Sequence, residues 1–197
     1  MDFSDVVVRQ KRKRQILFRK ESPCLHNLMN LIRSSDHRAL VLWALECAEE
    51  TLCEVEERLP GELRPRICLE QCDAWSQGLI KMPQAKRAIL ACHAVAGTTD
   101  PITGALCHAI GHAGATVHTG GHAIGLPMYE LTALALNHQG SGYESEAERK
   151  IQWYEERLRY WQTHWKEAGR PWAAFLEKPD PEASGTESLI EPKSKQP

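Results

Sequence analysis

Residues 104–125 read GALCHAIGHAGATVHTGGHAIG, a run built mostly of glycine, alanine and four histidines: His108, His112, His118 and His122. Small residues let backbones approach closely. A histidine set among them serves as a satisfied polar core group, a metal ligand or part of a recognition surface. Nothing in the run alternates with the period of two that a half-buried strand needs. Wound as one unbroken helix, its ~100° step places the four rings within an arc of roughly 120°, with the two pairs about 15 Å apart along the axis. They would share a face but not a point, so one metal ion could not take all four. Gly120-Gly121 would cost about 1 kcal/mol per glycine in a helix interior. A break after His118 is therefore expected, with Pro127 in the first turn of a following helix that carries Met128, Leu131, Ala135 and Leu136.

Outward from this run, helix signals recur from Ser22 onward. Asp36 is placed to cap a helix through Leu59, with Pro60-Gly61 as its stop, while Pro65, Pro83 and Asp100-Pro101 open three more. The Asp36 helix sets Leu40, Trp43, Ala44, Cys47, Ala48, Thr51 and Val55 on one face. Val41, Leu42 and Leu45 lie outside that stripe, so its first half should have neighbours on several sides. Glu46 and Glu49 share the side of Leu42; if that side is covered they need Arg or His partners, because an unpaired buried charge is costly. Cys68, Cys72, Trp75 and Leu79, then Ala85, Ala88, Ile89 and Cys92, mark two amphipathic helices. A last helix from about Glu144 to Glu167 follows Gly140-Ser141-Gly142. The expected class is all-α, a single-domain bundle of about six to seven helices with short connections.

The chain has 197 residues, 42% of them hydrophobic and 25% charged, enough for one domain with a substantial core. No apolar run approaches the ~20 residues that span a bilayer, and Lys11 to Arg14 is followed by no signal-like segment, so a cytoplasmic protein without a membrane role is expected. Seven cysteines without a C-x-x-C pair read as free thiols in helix seams. Residues 1–20 carry two acids and seven bases, whereas residues 21–176 carry nineteen acids and fourteen bases. The basic footprint is thus confined to an N-terminal arm, residues 1–21, which reads as a solubilising segment and excludes a nucleic-acid role for the acidic body. The helical domain is expected over 22–176. Residues 177–197, rich in Pro, Ser, Glu and Lys, are expected to form a disordered acidic tail.

His93, His118 and His122 are expected to hydrogen-bond to carboxylates or to carbonyls freed at the helix break, together with Trp43, Glu46 and Glu49, as an interior polar cluster. His108 and His112 are expected to be exposed or semi-exposed. The alternative is a metal-binding protein or metal-dependent enzyme using His93, His118 and His122, with Glu46 or Glu49, since zinc or iron accepts a mixed nitrogen and oxygen set. Cys92 beside His93 and Cys107 beside His108 are no dyads, because adjacent helical residues point about 100° apart. No G-x-S-x-G, phosphate loop or H-E-x-x-H occurs.

The positions singled out also carry a resemblance: Asp36-His37-Arg38, Leu42-Trp43-Ala44, Glu46-Cys47-Ala48-Glu49, Arg64-Pro65-Arg66, Ala74-Trp75 with Gly78, His93-Ala94, Gly111, His118, His122-Ala123, Gly125 and Tyr129. In this order and spacing, over roughly 36 to 135, the chain resembles the immunity-protein-five-like family of proposed bacterial immunity proteins. It departs from the family's usual pattern at Thr119-Gly120-Gly121 and at Glu46. The resemblance implies a helical cytoplasmic binding protein, with no catalytic residues and no cofactor, whose partner is a cognate toxin. The candidate binding or polar residues are therefore Asp36, Arg38, Trp43, Glu46, Glu49, Arg64, Arg66, Trp75, His93, His118, His122 and Tyr129. Arg38, Arg64 and Arg66 are expected to pair with Glu46, Glu49 or helix C-terminal carbonyls, and the Arg64-Pro65-Arg66 element to lie close to Glu46 or Glu49.

Overall fold

A computed structural model describes residues 1–177. They form eight α-helices, with no strand among the described residues: α1 Ser4–Lys11, α2 His26–Arg33, α3 His37–Arg58, α4 Arg64–Ser76, α5 Met82–Val95, α6 Pro101–Ala115, α7 Gly125–Asn137 and α8 Glu144–His164. The count exceeds the expected six to seven because a helix forms inside the basic N-terminal segment. That segment is not a free arm. Phe3, Val6, Leu17 and Phe18 are buried, and Phe3, Phe18 and Tyr143 meet edge to face at centroid distances of 6.1–6.2 Å. Arg9 folds back to donate to the Ile16 carbonyl, and Thr132 Oγ1 accepts from Leu17 N at 3.1 Å. A handful of large apolar residues outweighs the segment's charge, since each buried aromatic is worth a few kcal/mol. The expected tail lies outside the described residues except for Glu177.

Capping chemistry sets the helix starts. Asp36 accepts from Arg38 N at 2.9 Å, and Asp100 from Ile102 N at 2.9 Å and Thr103 N at 3.1 Å. Pro65, Pro83 and Pro101 all sit at first-turn positions. The central element is α6, which packs against α3, α4, α5 and α7. Its Gly and Ala content makes this possible: a Cβ on Gly114 would lie 2.7 Å from Cys72 Sγ, and one on Gly104 would press on Ala96. The helix ends at Ala115, three residues before His118, and a turn with a short 3₁₀ segment, Gly120–His122, leads into α7. Six of the seven cysteines are buried free thiols, as expected for seam residues, and Cys53 is exposed. Among the described residues, no helix is long and apolar enough to cross a membrane.

Trp43 is fully buried against Tyr154 and donates its indole N–H to the Tyr154 carbonyl at 3.0 Å. Glu46 is half-exposed, and it accepts from Arg157 and from the Trp161 indole, both on α8. Glu49 is exposed. The expected arginine pairings therefore need correction. Arg38 forks onto Asp36, with both contacts at 3.0 Å, and stacks 3.9 Å over the Trp165 ring. Arg64 pairs with Glu62 and Arg66 with Glu56 at 2.6 Å. Each arginine takes a carboxylate near the end of its own or the preceding helix, which costs less side-chain order than reaching across the bundle.

Candidate functional site

Where α6 passes between α5 and α7, its histidines are half-buried against both. His93 Nδ1 of α5 meets His108 Nδ1 of α6 at 2.8 Å. One ring must donate and the other accept, so at most one of the pair can hold protons on both nitrogens. His112 lies with its ring centroid 5.5 Å from His93 and 5.6 Å from His122. The Tyr129 ring of α7 is 5.0 Å from His108 and 5.1 Å from His112, stacked on the latter at 22°. His108 and His112 are half-buried, within the semi-exposed range expected of them, yet they belong to the cluster with His93 and His122 from which that expectation had set them apart. His108, Gly111, His112 and Ala115 recur at helical three- and four-residue steps and form one inward face of α6.

Glycines make the room. A Cβ on Gly111 would stand 2.4 Å from His93 Cε1, and one on Gly125 would stand 2.4 Å from His112 Cγ and 2.5 Å from its Nδ1. The rings lie directly on helix backbone at two points. Burial, then the neighbouring His108 and His122, push His93 down to about 4. Burial, followed by His93, His122 and His108, pushes His112 to about 4 as well. Burial also lowers His108 and His122, the latter with help from His118. At neutral pH the cluster is a set of uncharged imidazoles. His112 Nδ1 is buried without a hydrogen-bond partner.

Above the cluster lies a cavity of about 320 Å³. His93, His112, His118 and His122 contribute its polar lining, and Trp75, Met82, Ile89, Leu90 and Ala115 its apolar walls. Lys86 stands among the lining residues as a cation, and among the described residues no Asp or Glu lines the cavity. Trp75 is buried and stacks on the exposed His118 ring at 22° and 6.2 Å, while Phe175 covers it from another side at 5.3 Å.

Of the residues picked from sequence, the structure brings His93, His118, His122, Trp75 and Tyr129 to this one region. It does not bring Trp43, Glu46 or Glu49 there; their partners come from α8 or solvent. The carbonyl freed where α6 ends also goes elsewhere than expected: His37 Nε2 donates to the Thr116 carbonyl at 2.6 Å. His37 accordingly ties the start of α3 to the turn that carries His118. Among the described residues, no group of three or more His, Cys, Asp or Glu side chains is placed to hold a metal ion. His108, His112, Gly111 and Gly125 were missed as site residues, although the 108/111/112/115 periodicity marks the first three.

A second concavity, of about 480 Å³, lies between α3, α7 and α8. Glu50, Glu54, Glu130 and Glu146 line it with Arg149, Lys150 and Trp153. Lys150 bridges Glu50 and Glu130 at 3.0 Å each and sits 4.2 Å over the Trp153 ring. Tyr154 donates its hydroxyl to Glu130, whose carboxyl burial pushes up.

No curated protein and no solved structure matches the chain. The family model for the Imm-5 like putative immunity protein matches residues 30–157, a span that holds α3 to α7 whole, the entire histidine cluster and most of α8. The chain belongs to that family.

Proposed function

We propose that the chain is a non-enzymatic immunity protein of the cytoplasm that neutralises a toxin by binding it directly. Its family membership over residues 30–157 carries this reading. Two features of the fold support it. The histidines of the half-buried cluster contact one another and Tyr129, an arrangement suited to shaping a rigid scaffold. The concavity between α3, α7 and α8 sets four carboxylates against two cations, and with the acidic body it suits a basic partner such as a nuclease-like toxin.

Co-expression with each toxin encoded beside the gene tests the reading directly. Rescue of growth by the intact chain is expected. Failure to rescue against every neighbouring toxin overturns it. Charge reversal at the exposed rim, Glu50→Lys with Glu146→Lys, should slow association with the rescued toxin about tenfold or more at low salt.

A further inference from the structure

We propose that the histidine cavity is a binding site for a small flat carboxylate, an aromatic acid with a short side chain, separate from any toxin-binding face. The cavity has a size that suits a small organic ligand, and its walls combine apolar area with a few convergent polar groups. Trp75 and His118, stacked on one another at 22°, share the lining with Met82, Ile89 and Leu90. An aromatic body fits that slot by area and by stacking.

The polar part selects the sign of the ligand. Lys86 is free of any ion pair among the described residues, and no carboxylate lines the cavity to neutralise it. The uncharged rings of His93, His112 and His122 can each offer an N–H to an anionic oxygen, and His118 stands beside them in the lining. The rings can serve either sign, so Lys86 decides: a cation would meet its repulsion with no carboxylate in the lining to offset it.

The site is also built at a cost to the fold. Gly111 and Gly125 seat two rings against backbone where any side chain would force them away, and His112 Nδ1 is left without a partner. An unpaired buried polar group is destabilising, and one beside a cavity lined by rings held uncharged by burial marks a functional candidate.

Calorimetric titration of the full chain at pH 7 with three probes of one shape tests the assignment: 3-phenylpropionate, 3-phenylpropanamide and 3-phenylpropylamine. The acid should saturate one site with a Kd below about 1 mM, the amide should bind about tenfold more weakly, and the amine more weakly still. Lys86→Gln, at an exposed position, should bring the acid to the level of the amide with an unchanged melt. In the unmutated chain the imidazole C–H resonances of His112, His118 and His122 should shift with the acid. No saturation by the acid at about 10 mM, equal binding of acid, amide and amine, or an acid affinity indifferent to Lys86→Gln would each overturn the proposal.

Discussion

Gly125→Ala adds one methyl group where the structure leaves no space for it. The new Cβ would lie 2.4 Å from His112 Cγ, 2.5 Å from Nδ1 and 2.7 Å from His112 Cβ, against 3.4–4 Å for ordinary contact. Because the clash includes the base of the ring, rotation about the side-chain bonds does not relieve it. Either α7 moves from α6 by about 1 Å or His112 leaves its place against Tyr129. Overpacking of this kind costs typically 1–3 kcal/mol, and the absence of a rotameric escape puts the expected loss at about 2–3 kcal/mol. Gly125 is the first residue of α7, so the helix-propensity gain of alanine offsets little of it. For a domain of this size the melting temperature should fall by about 4–12 °C. Differential scanning calorimetry at pH 7 measures this, with Gly121→Ala as the matched control. At Gly121 the nearest atom to a new Cβ is Thr119 Oγ1 at 3.9 Å, and the change should be within about 0.5 kcal/mol. Equal melts for the two variants would refute the packing of His112 on the α7 backbone.

Other outcomes follow from the same geometry. Gly111→Ala meets the far end of the His93 ring, so it should cost about 1 kcal/mol, and in a His93→Ala background it should become neutral or stabilising; a double-mutant cycle by urea unfolding reads the coupling. His93 and His112 have folded values near 4, below the ordinary 6.5, so the unfolded chain takes up protons that the folded chain refuses as pH falls from about 6.5 to about 4. Stability from these groups is intact above pH 6.5 and is lost across that window, by about 2 kcal/mol at pH 5 after allowing for solvent screening of half-buried rings; His93→Ala with His112→Ala should remove most of this slope in urea titrations at the two pH values, and an unchanged slope would contradict the neutral cluster. Lys150→Met strips Glu130 of its cation and should cost about 3 kcal/mol, with Glu130→Gln restoring part of it, since a buried carboxylate without a partner is the expensive state.

The all-helical class was legible because proline and aspartate punctuate the chain at helix starts and apolar residues recur at three- and four-residue steps between them. Asp36, Asp100, Pro65, Pro83 and Pro101 act as their types dictate, through local hydrogen bonds and a restricted φ. That Glu46 would take an arginine as partner was legible too, although its side stays partly open. Which arginine supplies it was not: Arg157 lies 111 residues away, and only the packing of α8 on α3 selects it over Arg64 or Arg66. The N-terminal segment misled because its seven bases dominate composition, while Phe3, Leu17 and Phe18 decide its burial.

The sequence by itself determined that the helices around the histidine-rich run pack closely, that the chain leaves the helix before Gly120-Gly121, though at Ala115 and not after His118, and that the family relation holds, because each of these rests on local propensity or on a pattern of residue types. It could not determine which rings face inward. In a helix as uniformly small and apolar as α6 every face is fit to be buried, so amphipathicity selects none of them. Tertiary structure decides it by setting α5 and α7 across the 108/111/112/115 face, where Gly111 and Gly125 surrender their side-chain volume to His93 and His112. The pairing of a glycine on one helix with a ring on another is a contact through space, and no period along the chain encodes it.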